Sequence, residues 1–310
     1  MAWAALVVVY LVWGSTYLAI RVGVETIPPL LLAGVRFLAA GAVLYPIAVR
    51  QGSPATRRAD RPGAQQWLAA AVIGTLLLSI GNGGVSYAEQ TVPSGSAALL
   101  TATVPLWMVG ADRLINTKPV GRRAGLALVV GLVGVAVLTS PTGPGAGLGG
   151  QVVLLVASAS WGLGSVLSGR LVLPTRPLVS AAMEMLAGGT VLVLAAAARG
   201  ELAQLQLDQI SAGSLGALLY LIGPGSLLAL SAYVLALQRL PTSTVATYAY
   251  VNPVVAVALG ALLLDETVSS RTLLGAAIVL SAVSLTLTAR RQSPAEAERL
   301  SEPPRGDRAP

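Results

Sequence analysis

The sequence predicts an all-α polytopic membrane protein: ten transmembrane helices forming two inverted five-helix repeats, with N- and C-termini cytoplasmic. Three observations predict it. The first is composition. Of 310 residues, 55% are hydrophobic and 11% charged, and the mean hydropathy is +0.75. Apolar runs of about 20 residues, the length a helix needs to cross a bilayer core, recur throughout. The strict apolar–polar alternation of a membrane barrel is absent. The second is an internal duplication. TVPSGSAALLTATVPLW (91–107) aligns without a gap on RLPTSTVATYAYVNPVV (239–255), an offset of 148 residues. Pro93 meets Pro241 and Pro105 meets Pro253. The same offset takes Trp13-Gly14 to Trp161-Gly162, Gln90 to Gln238 and Arg36 to Glu184. A long period carried by proline and tryptophan, rather than by common Leu or Val, marks a repeat. The third is the placement of charge. With a cytoplasmic N-terminus, 16 of the 20 Arg and Lys residues lie on the inner side. Arg21, Arg199 and Arg271 lie outside and Arg36 within a span, a strong positive-inside bias.

In chain order the spans are predicted at 3–24, 28–49, 66–87, 92–111, 122–138, 152–173, 178–198, 215–235, 242–264 and 272–288. The first begins without a basic region and runs too long for a cleaved signal peptide, so it reads as a retained span. The longest loop, 50–65, carries Arg57, Arg58, Asp60 and Arg61. Residues 3–140 form the first repeat, 141–151 a Gly/Pro linker and 152–289 the second repeat. The polar tail 290–310 reads as disordered. Five spans per half is an odd number, so the second copy enters the membrane inverted. That arrangement is typical of secondary transporters, with a site near the midplane where the repeats meet.

Polar groups within the spans mark candidate sites. Arg36 lies roughly 12 Å below the outer face and Glu184 roughly 9 Å above the inner face, at 1.5 Å per residue. A core of about 30 Å then leaves the two roughly 9 Å apart in depth, so no direct pair is expected. Arg36 is a charge-site candidate, with capping of carbonyls or pairing with Glu25 or Glu89 as the structural alternative. Glu184 is a candidate proton carrier or cation site, or a side chain that snorkels. Span 3 ends in GNGGVSYAEQ, where Gly81, Gly83 and Gly84 around Asn82 predict local unwinding; Asn82 is a gate candidate or marks a frayed end. Gly223-Pro224-Gly225 in span 8 predicts a hinge, and Pro105 and Pro253 predict matched kinks or hinges in spans 4 and 9. Asn252, before Pro253, is expected to satisfy freed carbonyls or to face solute.

Trp13 and Trp161 fall near mid-depth, away from the interfacial belts where tryptophan usually anchors. With Tyr17, Tyr87, Tyr233, Tyr248 and Tyr250 they are candidates to line an aromatic, hydroxyl-bearing cavity for an amphipathic solute. Small residues in spans 5 (Gly125, Gly131, Gly134) and 10 (Gly275, Ala276, Ala277) suit close packing at the periphery, and a weak homodimer contact there is an alternative to a monomer.

The chain has no cysteine and no histidine. Disulfides, thiolate chemistry and the usual general base are thereby excluded. Walker A, HExxH and GxSxG motifs and paired intramembrane carboxylates are absent. No enzyme, cofactor, metal site or nucleic-acid partner is expected. Without a nucleotide-binding loop, uphill transport would draw on an ion gradient, protons being the candidate, or on an exchanged solute.

WGSTYLAIRVG, PPLLLAGVRFLAAG, VPSGSAALLTATVPL and TSTVATYAYVNPVVAVALGALLLDE, in this order and over residues 3–289, resemble the EamA family of the drug/metabolite transporter superfamily, most closely its YedA-like exporters. The resemblance implies ten helices with a central cavity lined by spans 1–4 and 6–9, and spans 5 and 10 outside it. It implies export of amino acids, related metabolites or drugs across a bacterial inner membrane. One departure is that Asp265-Glu266 after span 9 corresponds to Thr117-Lys118 after span 4, where an acidic residue is common. The leading expectation is a secondary exporter working by alternating access. An uncoupled facilitator and a non-transporting membrane scaffold are the alternatives.

Overall fold

The computed structural model describes residues 1–59, 61–117, 122–138 and 148–291, and contains no strand among them. Asp60, residues 118–121, residues 139–147, which hold seven of the eleven predicted linker positions, and the tail from 292 lie outside the described residues. The principal helices are α1 (Ala2–Gly23), α2 (Pro29–Arg50), α3 (Ala64–Ala88), α4 (Ser94–Thr101 continued by Val104–Asn116), α5 (Arg122–Leu138), α6 (Leu148–Ser168), α7 (Pro177–Ala198), α8 (Ala212–Arg239), α9 (Tyr248–Leu263) and α10 (Ser270–Arg291). Seven of them are long and apolar enough to cross a membrane; α5, α9 and α10 contribute shorter apolar stretches. The chain is therefore built as a polytopic helical membrane protein. α6 stops at Ser168, five residues short of the predicted end, where the chain turns through Gly169 and Arg170.

α2 packs along α7, and α5 along α10. α1 packs on α8 and α9, and α6 packs on α3 and α4. α3 also meets α7, and α8 meets α2. Renaming each helix by its counterpart five places along the chain returns these principal contacts, although α1 and α10 also touch α4. Two glycines allow the tightest of the matched approaches. A Cβ on Gly14 would fall 2.6 Å from the Val255 Cβ of α9, and a Cβ on Gly162 would fall 2.7 Å from the Trp107 Cβ of α4. Gly14 and Gly162 are 148 residues apart, and so are Trp107 and Val255.

Alternate connections meet at opposite ends of the bundle. At one end Arg21 donates to the Glu89 carbonyl, and the Ser211 N–H donates to Thr26 Oγ1 at 3.1 Å. Two carboxylates there close helix N-termini, where unpaired N–H groups and the helix dipole favour an anion. Glu201 Oε2 accepts from the Leu31 N–H of α2 at 3.0 Å. Glu266 accepts from the Ser94 and Gly95 N–H groups of α4 at 2.7 and 3.1 Å. At the other end Arg176 donates to the carbonyls of Ala48 and Gln51, both at 3.1 Å.

The glycine-rich end of α3 corrects the expected unwinding. The chain stays helical through a π-helical stretch, Thr75–Asn82, and then an α-helical one, Gly83–Ala88. The glycines are used for packing: Gly81 lies against Trp161, Gly83 against Leu192 and Gly84 against Ala157. Of the small residues of α5 and α10, Gly131, Gly134 and Gly275 serve contacts within the chain, whereas Gly125 has nothing within 4 Å and Ala277 is exposed. Gly134 abuts Val279, and Gly275 abuts Leu138.

Candidate functional site

α8 carries a π-helical stretch of its own, Leu221–Leu228, which contains Gly223-Pro224-Gly225. A wider π turn leaves backbone carbonyls without their ordinary partners, and within a membrane each must find a donor. Side chains supply them in both helices. In α3 the Leu76 carbonyl accepts from Ser160 Oγ of α6 at 2.8 Å, and the Leu77 carbonyl accepts from Asn82 Nδ2 at 3.4 Å. In α8 the Leu221 carbonyl accepts from Ser226 Oγ at 2.8 Å, and the Gly225 carbonyl accepts from Trp13 Nε1 of α1 at 3.2 Å. Asn82 is thus tied to its own helix, and Gly223-Pro224-Gly225 sits in a supported irregularity.

Trp13 also organises an aromatic cluster. Its ring centroid lies 5.2 Å from Tyr233 and 5.3 Å from Tyr248, and the two tyrosines stand 5.8 Å apart at 88°. The rings come from α1, α8 and α9, and all three side chains are partly buried. Edge-to-face packing of this kind holds aromatic walls in fixed orientation. Hydroxyl pairs flank it: Tyr10 with Thr247 Oγ1 at 2.5 Å, and Ser15 with Tyr220 at 2.6 Å. Asn252 is buried between acceptors, which assigns its amide the orientation whose nitrogen donates to the carbonyls of Tyr248 and Tyr10, 3.2 and 3.3 Å away. It therefore joins α9 to α1 beside the cluster. Pro253 lies within the continuous helix α9, whereas Pro105 opens the second segment of α4.

Arg36 is 6% exposed and reaches the neighbouring face of α8, where its Nε donates to Ser226 Oγ at 3.0 Å. Its guanidinium carbon stands 4.7 Å from the Phe37 ring centroid. Ser226 thus receives from Arg36 while donating to Leu221. Ser226→Ala should leave both without a partner, a cost of about 1–3 kcal/mol for each buried group. A fall in melting temperature of detergent-purified Ser226→Ala, with Ser226→Thr close to the parent, checks this. Glu184 faces elsewhere. Its Oε1 accepts from Ser180 Oγ, one turn earlier in α7, at 2.9 Å.

Other predicted cavity residues are placed apart from the cluster. Trp161 lies against Gly81 of α3. Tyr87 is exposed and stacks under the Arg199 guanidinium at 5.2 Å. It borders a lateral cleft of about 370 Å³ whose wall includes Ile80, Gly83, Val153 and Val156. Tyr250 donates to the Val283 carbonyl of α10 at 3.4 Å, away from Trp13. Tyr17 is the exception: one turn beyond Trp13 in α1, it packs against the apolar cluster of Ile20, Val85, Val92 and Leu100 and lies within electrostatic reach of Tyr248.

Glu89, which falls just beyond α3, is anticipated from sequence only as a pairing partner of Arg36. Its side chain is 0% exposed, and both carboxylate oxygens accept no hydrogen bond. Burial, and then the like charge of Glu266, push its carboxyl well above the usual carboxylate range, with Arg21 and Arg36 opposing. A carboxylate directly adjoining an uncharged helix end was the available signal.

The EamA-like transporter family matches residues 1–140 and again residues 148–288. The Escherichia coli (strain K12) protein named "Uncharacterized inner membrane transporter YedA" is 40% identical over 293 residues, 94% of this chain and 92% of that one. The "Probable amino-acid metabolite efflux pump" of Salmonella typhimurium is 26% identical over 288 residues, 90% of this chain and 91% of that one. A crystal structure superposes with a TM-score of 0.59 at 20% identity, covering 94% of this chain and 99% of the other, a likeness of fold.

Proposed function

The chain belongs to the EamA-like transporter family, and from that premise we propose that it is a secondary exporter of the bacterial inner membrane, moving amino acids, related amphipathic metabolites or drugs by alternating access. The observation that carries this reading is the Trp13–Tyr233–Tyr248 cluster, whose tryptophan is bonded directly to the π-helical stretch of α8. Flat aromatic faces bind the apolar body of a solute, and hydroxyls and Arg36 offer polar contacts beside it. The printed name of the Salmonella typhimurium relative supports the solute class.

The architecture in this reading is ten spans in two inverted repeats, 3–140 and 152–289, with both termini cytoplasmic. The double match of the family, the exchange-symmetric helix packing and the sidedness of Arg and Lys support it. α3–α4 and α8–α9 rock about the irregularities at Thr75–Asn82, Pro105, Gly223-Pro224-Gly225 and Pro253. A helix that already tolerates π turns bends there at least cost. In this reading the polar groups of the site bind and orient a solute, and no covalent step is assigned to them.

Glu184 is the candidate coupling or charge site of the inner half. The test is counterflow in proteoliposomes, with labelled neutral amino acids, purines and a cationic drug, with and without a pH gradient. Gradient-driven accumulation of one solute class is expected. Glu184→Gln should abolish accumulation but spare downhill exchange; accumulation that survives the change removes Glu184 from coupling. The Ser180–Glu184 hydrogen bond within one helix favours the second reading, an uncoupled facilitator in which Glu184 is structural. Exchange indifferent to the gradient selects that reading. No exchange across the panel counts against transport.

A further inference from the structure

We propose that Glu89 is a proton-binding site of the transport cycle: its carboxylate is protonated while the end of the bundle formed by residues 23–29, 88–94 and 263–270 is closed, and yields its proton to water when that end opens. The place of this step in a cycle rests on the transport reading above; the site itself rests on the packing.

Glu89 is sealed between α1, α2, α4 and the α9–α10 connection, yet no donor reaches its oxygens. The nearby cations are directed elsewhere. Arg21 donates to the main-chain carbonyl of Glu89, and Arg36 spends its Nε on Ser226. Glu266, by contrast, holds two N–H groups of the α4 N-terminus. The pair thus divides its roles. Glu266 is the carboxylate to which the closed protein gives hydrogen-bond donors, and Glu89 is the one to which it gives none, only the opposing charges of Arg21 and Arg36. A buried carboxylate without donors is stable in its neutral form.

The groups that face it are few. α1 presents Arg21 and Tyr17, α2 presents Arg36, and the α9–α10 connection presents Glu266. α6 approaches at Gly150, which abuts Thr91 and Val92 and carries no charge. The ligand proposed is a proton: the Glu89 oxygens have no hydrogen-bond partner, and no group of three His, Cys, Asp or Glu side chains gathers among the described residues to form a metal site. On closing, one O–H bond forms between a Glu89 oxygen and a proton from external water; on opening, the bond breaks and the proton returns. No electrons move. The closed form keeps the proton to higher pH than the hydrated, open form does. Raising the pH therefore shifts the population toward the open form, between the usual carboxylate range and the raised value of the closed form. One linked proton gives at most about tenfold per pH unit.

The chain has no cysteine, so a single introduced thiol reports the opening. Val92 is 1% exposed at this end, and Thr91 beside it is exposed. In proteoliposomes, labelling of Val92→Cys by an impermeant maleimide is measured from pH 5 to 9 and divided by the rate for Thr91→Cys, which removes the titration of the thiol itself. The normalised rate is expected to rise toward tenfold per pH unit, and adding Glu89→Gln should make it low and flat. Should that double variant not fold, Val92→Cys with Glu266→Gln serves: losing the like charge should move the rise to lower pH. A flat profile in Val92→Cys alone, a rise that survives Glu89→Gln, a rise that Glu266→Gln leaves in place, or a dependence on sodium at fixed pH would each overturn the proposal. A chain that exchanges no solute yet titrates at Glu89 would sink the transport reading alone; an active exporter with a flat profile would sink the proton site alone.

Discussion

Gly14→Val lowers the stability of the bundle by about 1–3 kcal/mol, the usual cost of overpacking a filled core, and lowers solute exchange with it. The clash is set by backbone positions and no rotamer relieves it. The first carbon of the new side chain would fall 2.6 Å from Val255 Cβ and 3.2 Å from the Asn252 carbonyl. Either α1 or α9 must move, and these two helices carry Trp13 and Tyr248. Replacing a helical glycine gains back less than about 1 kcal/mol of propensity, which offsets only part of the cost. Gly162→Val meets Trp107 Cβ at 2.7 Å and the Met108 N at 2.9 Å, and should behave alike. The pairing is tested by a double-mutant cycle. Val255→Gly alone should destabilise modestly, and combined with Gly14→Val it should recover more stability than the two single changes predict by addition. Thermal unfolding in detergent reads all three. A Gly14→Val protein that melts with the parent, or a cycle with no coupling, would show that α1 and α9 are not held together at this contact.

The same contact explains what could be read from sequence. Trp-Gly recurs at 13–14 and 161–162 because a helix crossing of this kind admits no side chain at the second position. The rotation of each helix was less legible. Tyr248 and Tyr250 both looked like cavity residues, but two positions on an α-helix turn it by about 200°, so they point to nearly opposite sides. The structure gives Tyr248 to Trp13 and Tyr250 to α10. Glycine was ambiguous in the same way. Gly81, Gly83 and Gly84 have poor helix propensity, yet contacts with Trp161, Leu192 and Ala157 keep that segment helical. Glu89 was the least legible. Next to a helix end, its burial depends on residues 68 to 177 positions away in the chain, at Tyr17, Arg21 and Glu266, and no local pattern encodes such a closure.

Trp13→Ala has the largest expected effect on transport. Two separate losses coincide at this residue. The ring packs on Tyr233 and Tyr248, and aromatic pairs contribute about 0.5–1.5 kcal/mol each beyond the area they bury. Its N–H also satisfies the Gly225 carbonyl in the π-helical stretch of α8, and a buried carbonyl left without a donor costs about 1–3 kcal/mol. Either loss alone corresponds to roughly tenfold in affinity or in the population of a transport state, since 1.4 kcal/mol is a factor of about ten. Exchange should therefore fall at least about tenfold in a protein that still folds. Trp13→Phe separates the two: it keeps a ring for the solute and the tyrosines but removes the donor to α8. If the ring binds solute and the N–H steadies the bend, Trp13→Phe should leave the half-saturating solute concentration near the parent's and change the maximal exchange rate. Trp13→Ala should alter both. Trp161→Phe is the control, because that side chain lies against Gly81, outside the cluster. Equal effects at 13 and 161 would mean that the two halves contribute alike to the pathway and that the cluster has no special part in it. Parental exchange in Trp13→Ala would remove the cluster from solute binding altogether, and with it the observation on which the proposed function chiefly stands.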